Sequence, residues 1–147
     1  MSHRIDRLEE GLADLVDRVG DEDLAPCLYF LAITVMSAVD AGDNIEVTAA
    51  LTDLRERGSV ARTAQLQVNS LLSQYEQRAF AARRRGDHVG RERAFFQARA
   101  INCVAHVIGA DHGERPARDR LRDAAYEAMV ACRGAVAVRS VLTRYAG

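Results

Sequence analysis

The sequence predicts an all-α fold, a single-domain antiparallel bundle of about six to seven helices built from helical hairpins around a buried hydrophobic helix. Three observations indicate this fold. Apolar residues recur every three or four positions along most of the 147 residues, which is the spacing of a helix face. Alanine, the strongest helix former, occurs 25 times. One stretch of 16 residues, 24–39, contains no charged residue, which is typical of a helix at the centre of a bundle.

The first predicted helix begins after the N-cap residue Ser2 and ends at Gly20. Its apolar positions are three and four residues apart and form a narrow seam between acidic residues. Docking of this seam onto the same chain is the first interpretation, and an interface with another protein or with a second copy of the chain is the alternative. The seam consists of Ile5, Leu8, Leu12, Leu15 and Val19.

The second predicted helix is the uncharged stretch 24–39, and its length argues against a membrane span. A span needs about 20 apolar residues, whereas this stretch is shorter and contains Thr34 and Ser37. Pro26 fits the first turn of a helix, where its missing N–H has no partner to lose. We therefore expect a buried helix and no membrane as a partner.

Capping residues bound the third and fourth predicted helices. Asp43 and Glu46 form a capping box at the start of the third helix, and Gly58 ends it. Ser59 caps the fourth helix, which runs to Gly86. At about 1.5 Å per residue the fourth helix is about 40 Å long, so we expect it to be the longest of the fold.

Three more helices complete the predicted bundle. The fifth spans roughly 91–108, and the sixth runs from Pro116 to Gly134. The last segment, 135–145, alternates like a strand at its start and then follows helical spacing. Because no second strand is present to pair with it, a helix is predicted. No stretch has the composition of a linker, so residues 1–147 form one predicted domain.

The hairpin around Gly86 invites an alternative interpretation as a helical repeat. It departs from the repeat pattern at Arg91, where a small residue is usual, and at Cys103, where proline is usual. At least three repeats are normally needed for stability, and only two candidate hairpins occur. The residues whose spacing resembles a tetratricopeptide unit are Tyr75, Gly86, Asp87, Phe95 and Ala98.

The charges are almost balanced overall but not along the chain. The net charge is −1, while residues 1–60 hold 13 acids and 5 arginines and residues 61–147 hold 8 acids and 15 arginines. The halves therefore either neutralise each other within the fold or present an acidic and a basic face. All 20 cationic residues are arginine, which excludes Schiff-base lysine chemistry and favours bidentate contacts to carboxylate or phosphate.

Three widely spaced cysteines in apolar stretches, Cys27, Cys103 and Cys132, form neither a disulfide framework nor a C-x-x-C pair. They predict buried free thiols in a reducing compartment. The first residues also lack the basic-then-apolar order of a signal peptide. A cytoplasmic location is therefore the prediction.

An arginine-rich patch surrounds the predicted turn at Gly86, opposed only by two acids. Guanidinium groups crowded at one end of a hairpin would bind an acidic protein face or a nucleic-acid backbone. Phe95 and Phe96 lie one turn onward, and we expect them to pack in the core rather than to stack on bases. The predicted binding residues are Arg83, Arg84, Arg85, Arg91 and Arg93.

The best catalytic candidates are Arg99, Asn102 and His106, which share one stripe of the fifth helix. An Arg that holds a phosphate beside a His that moves a proton suits ribonuclease chemistry. The R-x6-H spacing resembles the motif of HEPN-domain ribonucleases, small all-helical proteins that generally act as dimers with both motifs at the interface. The chain departs from that family at Ala100, where a polar residue is common. The alternative is that the stripe is the wet face of the helix.

Two weaker possibilities also involve His106. The sequence AHVIG resembles the surroundings of a phosphotransfer histidine but lacks the lysine. A metal site would need Cys103, His106, Asp111 and His112, whose spacing fits no common zinc pattern.

Other catalytic signatures are absent from the sequence, including phosphate-binding glycine loops and G-x-S-x-G. We therefore expect no cofactor and no metal. The leading prediction is a non-enzymatic interaction module, either an adaptor, an inhibitor-type binder or a small subunit of a larger assembly. Its predicted partner is another protein or a second copy, or a nucleic acid at the arginine patch. A dimeric HEPN-like ribonuclease is the alternative.

Overall fold

Seven α-helices carry the regular structure of the residues that the computed structural model describes, which are 11–40, 44–109 and 115–147. These residues contain no β-strand, one short 3-10 helix (Asp21–Asp23), and one isolated bridge between Val19 and Ala146. The all-α bundle is therefore confirmed. The helices are α1 (Leu12–Arg18), α2 (Leu24–Ala38), α3 (Ile45–Arg57), α4 (Arg62–Arg84), α5 (His88–Val107), α6 (Ala117–Ala131) and α7 (Val136–Tyr145).

The hydrophobic helix α2 lies at the middle of the bundle and packs against α3, α5, α6 and α7. Its buried face includes Leu28, Leu31 and Val35, while Tyr29 and Ile33 on the other side are only half-buried. All seven helices contribute buried side chains to one continuous core. In the described residues, no helix has both the length and the hydropathy that crossing a membrane requires.

The C-terminal half of α5 is buried more completely than its predicted apolar stripe implies. It packs against α2, α4 and α6, so that side chains on several of its faces are covered. Small residues make this possible, because Ala100, Cys103 and Ala105 allow neighbouring backbones to approach closely. Periodicity indicates one buried face, whereas contacts with three helices bury nearly the whole circumference.

Several observed helix ends differ from the predicted ones because of local backbone conformation and capping. The prediction of an uninterrupted first helix is wrong, because Gly11 adopts the left-handed conformation (φ 89°) and α1 begins at Leu12. The capping residue Asp43 lies outside the described residues, and Asn44 precedes α3. The Asp87 side chain accepts a hydrogen bond from the Gly90 amide at 2.9 Å, so α5 begins at His88 rather than near residue 91.

Helix α4 is the longest of the described helices, as predicted, although it begins at Arg62 and not at Ser59. Its 23 residues span about 35 Å at the usual rise. The segment 58–61 connects α3 to α4 through a bend and buries Val60 against the core. The last segment is a helix, α7, which packs Val138 and Leu142 into the core.

The hairpin of α4 and α5 extends beyond the core. Residues 76–99, which we call the arm, contribute no side chain to the core cluster that includes Tyr75 and Ala100 on either side. Inside the arm, Ala82, Ala94 and Ala98 are buried between the two helices. Gly86 at the tip has φ 72°, the left-handed conformation that a tight turn between antiparallel helices requires. One face of the arm contacts the body through Phe96 and Arg133, and the opposite face is exposed and can carry binding residues.

The position of α2 in the core leads to a stability prediction. Leu31→Ala removes a side chain that is 1 % exposed and should lower the free energy of unfolding by about 2–5 kcal/mol, because it leaves a cavity. Leu66→Ala removes the same atoms from a position that is 52 % exposed and should cost less than about 0.5 kcal/mol. Urea unfolding measures both values, and equal losses would contradict the central position of α2.

Candidate functional site

The structure places all five arginines of the predicted patch on exposed positions at the tip of the arm. They do not form one cluster. Arg91 and Arg93 differ by about 200° around α5, because each residue turns a helix by about 100°. Arg93 therefore points towards Asp40 and α6, whereas Arg91 faces the side of the hairpin on which Arg83 lies.

Acidic neighbours divide the patch further. Arg85 Nη2 lies 3.9 Å from Asp87 Oδ2, and Arg93 Nη2 lies 3.8 Å from Asp40 Oδ2. In the part of the chain that the structure describes, no carboxylate lies within ion-pair distance of the other three arginines of the patch. The unneutralised positive charge of the tip is thus carried by Arg83, Arg84 and Arg91.

Arg83 and Arg91 line one end of a groove between α4 and α5, with a volume of about 460 Å³. Ala79, Phe80, Phe95 and Ala98 form its apolar part, and Glu76 and Arg99 line the other end. On α5 the lining residues are at positions i, i+4, i+7 and i+8, which is one helix face. We call this feature the arm groove.

The arm groove contains two exposed aromatic rings that the sequence analysis did not assign to it. Phe80 is 59 % exposed and Phe95 is 43 % exposed, so the prediction that Phe95 packs in the core is wrong. The Arg84 guanidinium lies 5.1 Å from the Phe80 ring centroid, and the Arg99 guanidinium lies 5.8 Å from that of Phe95. Phe95 contacts Phe96 edge-on at 5.2 Å between centroids. The surface thus combines cationic and aromatic groups.

A buried carboxylate, Glu127 on α6, anchors the base of the arm. The Glu127 side chain accepts hydrogen bonds from Asn102 Nδ2 at 2.8 Å and from Arg99 Nη1 at 3.3 Å. Arg99 Nη2 donates a third bond at 3.2 Å to Glu76 Oε2 on α4. Three helices therefore meet at one guanidinium group.

Glu127 was not singled out by the sequence analysis, although a signal was present. It is the only charged residue that is buried among the described residues. It lies one turn from Ala124 and Ala131, which are also buried, so an acid interrupts an otherwise apolar helix face. A carboxylate in such a position needs a cationic or hydrogen-bonding partner, because an unpaired buried charge is costly.

The predicted catalytic stripe is divided by these contacts. Arg99 and Asn102 both bind Glu127, whereas His106 is half-buried one turn further along α5. Since two carboxylates hold Arg99, its guanidinium is not presented to a phosphate in the way that the ribonuclease mechanism requires. The ribonuclease hypothesis stays a prediction of the sequence, and this geometry does not favour it.

The predicted interface seam lies partly in the core. Leu12, Leu15 and Val19 are buried beneath α6 and α7 of the same chain and are not accessible to a second molecule in this structure. Ile5 and Leu8 lie outside the described residues. The described part of the seam therefore contributes nothing to the candidate surface.

The acidic first part of the chain is partly neutralised by arginines of α6. Arg118 Nη2 lies 2.8 Å from Asp21 Oδ1, and Arg122 pairs with Asp17. Arg118 Nη1 also donates to the carbonyl of Val16 at 2.8 Å, at the end of α1. Of the two interpretations of the charge asymmetry, neutralisation therefore holds for these contacts, whereas the arm tip keeps an excess of positive charge.

The three cysteine thiols have raised pKa values. Burial, and secondarily Asp23, raises the pKa of Cys27 to about 12. Burial, together with Glu127 and Cys132, raises the pKa of Cys103 well above its ordinary value, and burial raises that of Cys132. These thiols are poor nucleophiles. No three His, Cys, Asp or Glu side chains in the described residues are grouped to hold a metal, and Asp111 and His112 lie outside these residues.

Comparison of the chain with protein-family models, with curated proteins and with solved structures found no match.

The contacts of Arg99 predict unequal effects for two matched substitutions, each of which removes one of its carboxylate partners. Glu127→Gln removes a buried charge that balances Arg99 and should lower the free energy of unfolding by about 3–5 kcal/mol. Glu76→Gln removes an exposed partner of Arg99 and should cost less than about 1 kcal/mol. Urea unfolding of both variants tests this, and a larger loss for Glu76→Gln would show that Glu127 is not the anchor.

The raised thiol pKa values predict both reactivity and pH dependence. In the native protein at pH 8, iodoacetamide should alkylate half-buried Cys132 before Cys27 and Cys103, and all three should react readily in denaturant. The pKa of Cys27 is about 12 in the folded state against an ordinary 9.0. The unfolded chain therefore loses its proton first, and this contribution to stability is complete below pH 9 and declines as the pH rises towards 12. Mass spectrometry of alkylated peptides measures the reactivity, and prompt labelling of Cys27 in the native protein would contradict it.

Proposed function

We propose that this protein is a non-enzymatic helical interaction module that binds an anionic partner in the arm groove. One observation carries the proposal. Arg83, Arg84 and Arg91 have no carboxylate partner among the described residues, and they lie beside the exposed rings of Phe80 and Phe95. An adaptor, an inhibitor-type binder and a subunit of a larger assembly would all use such a surface in the same way.

The chemistry of the arm groove suits binding rather than structural support. A guanidinium group with no internal partner offers a planar set of donors that matches a carboxylate or a phosphate. Aromatic rings beside it supply apolar area that gains free energy when a partner covers it. Arginine and aromatic residues are also the types that contribute most to measured interface energies.

The arm is held in place before any partner binds. Its helices pack closely through Ala82 and Ala94, and Arg99 links the base of the arm to Glu127 in the body. Ordering a flexible segment on binding would cost conformational entropy, and a preformed groove avoids most of that cost. This rigidity supports a role as a recognition surface.

The engagement of Arg99 favours binding over catalysis. Its contacts with Glu127 and Glu76 stabilise the arm, and the buried contact with Glu127 engages Arg99 Nη1 inside the protein rather than at an external phosphodiester. The described residues offer no other pairing of His106 with a free guanidinium group on the same stripe of α5.

Two double variants with the same net charge test the proposal on a heparin column, which presents sulfate and carboxylate groups. Arg83→Ala/Arg91→Ala removes two guanidinium groups that lack carboxylate partners, and it should elute at much lower salt than the wild type. Arg85→Ala/Arg93→Ala removes two that lie within 4 Å of Asp87 and Asp40, and it should shift the elution less, because each of these guanidinium groups already has a carboxylate beside it.

Equal shifts for the two variants would contradict the proposal, because retention would then follow net charge alone. Far-ultraviolet circular dichroism of each variant shows whether the helical content is unchanged. All four substituted residues are exposed, so we expect no loss of structure.

A further inference from the structure

We propose that the partner segment in the arm groove is an acidic amphipathic helix of another protein, with two carboxylates about two turns apart and apolar side chains between them. This inference rests on the function proposed above. It adds the chemistry and the spacing of the partner, and it gives Glu76 the role of an internal substitute for a partner carboxylate.

The order of residues along the groove carries the first step. On α5, Arg91 is followed by Phe95 at i+4 and by Arg99 at i+8. On the antiparallel α4, Arg83 lies near Arg91, Phe80 near Phe95, and Glu76 next to Arg99. The groove therefore has a basic end, an aromatic middle and a second guanidinium at its base.

The distance between the two basic positions fits a helix. Arg91 and Arg99 are eight residues apart on α5, which is about 12 Å along the helix axis. A helix lying along the groove places residues i and i+7 about 10 Å apart on one face, with i+3 and i+4 between them. Carboxylates at i and i+7 would then reach the two arginines, while apolar side chains at i+3 and i+4 would cover Phe80 and Phe95. This is the helix-in-groove mode of recognition.

Glu76 supports a carboxylate position at the base of the groove. Its Oε2 atom lies 3.2 Å from Arg99 Nη2, while Arg99 Nη1 faces Glu127 on the other side. The Glu76 side chain is 52 % exposed, so its ion pair with Arg99 is weak and the side chain can rotate away. A partner carboxylate would take the place of Glu76 at Arg99 Nη2 and leave the buried contact with Glu127 unchanged.

Three features favour a protein helix over a nucleic acid. Glu76 lines the groove and would repel a continuous phosphate backbone. The guanidinium groups of Arg84 and Arg99 already lie over Phe80 and Phe95, so each ring has one face covered against a stacking base. The excess of positive charge is confined to the tip of the arm, since the whole chain carries a net charge of −1, and it therefore suits a short acidic segment better than an extended polyanion.

The test uses a fluorescein-labelled helical peptide of about 20 residues with Glu at i and i+7 and Leu at i+3 and i+4, titrated with the full-length protein. Fluorescence anisotropy should show binding to the wild type. Arg83→Ala/Arg91→Ala and Phe80→Ser/Phe95→Ser should each weaken binding about tenfold or more, since the first removes the basic end of the groove and the second its aromatic middle. The matched control Arg85→Ala/Arg93→Ala should stay within about twofold, because these exposed ion pairs lie outside the groove.

Glu76→Gln gives a readout that a merely structural role would not produce. If Glu76 competes with a partner carboxylate, its removal should strengthen peptide binding about threefold, because Arg99 Nη2 no longer has an internal anion. A peptide with Gln in place of both Glu residues should lose this gain. Weaker peptide binding by Glu76→Gln would overturn the assignment of Glu76 as a substitute carboxylate.

A uridine oligonucleotide of the same length separates failure of this inference from failure of the proposed function. Tighter binding of the oligonucleotide than of the peptide, lost in Arg83→Ala/Arg91→Ala, would overturn the helical partner and leave an anion-binding groove. Absence of peptide binding by the wild type would also overturn the helical partner. If Arg83→Ala/Arg91→Ala changes neither peptide, oligonucleotide nor heparin binding, the proposed function fails as well.

Discussion

The buried carboxylate of Glu127 is the constraint on which the position of the arm depends. A charged group that is 3 % exposed is tolerated only with close partners, and Arg99 and Asn102 on α5 supply them. These contacts fix α5 against α6 beyond what apolar packing requires. Because Arg99 also binds Glu76, the same group holds α4 at the place where the hairpin leaves the core. The arm is therefore anchored by charge at its base and by alanine packing along its length.

Because the arm lies outside the core, residues on its solvent-exposed face need not be apolar. The arm exposes Phe80 and Phe95 in one groove together with Arg83 and Arg91. Large apolar side chains at a solvent-exposed position contribute little to folding, and a cluster of them marks a surface for recognition. Apart from Arg99, which lines the groove and also binds Glu127, the binding residues of the groove can therefore change with little effect on stability.

Arginine has two distinct uses in this protein. On α6, Arg118 and Arg120 donate to the backbone carbonyls of Val16 and Val107, which lie in the last turns of α1 and α5. In the arm, the guanidinium groups of Arg83 and Arg91 have no such internal acceptor among the described residues. The chain contains no lysine, so only the surroundings of each arginine distinguish a structural contact from a binding one.

The sequence by itself determined the all-α class, the identity of α2 as the central helix and the helical state of the last segment, because periodicity and capping are local properties that survive in any packing. It also located the basic turn at Gly86. Only the tertiary structure decided which arginines remain unneutralised, since Asp40 reaches Arg93 from a distant part of the chain. The tertiary structure also decided that Phe95 is exposed and that Glu127 pairs with Arg99. The physical reason is that burial and charge pairing depend on which helices are neighbours and in what register, and neither is encoded in the spacing of residues within a single helix.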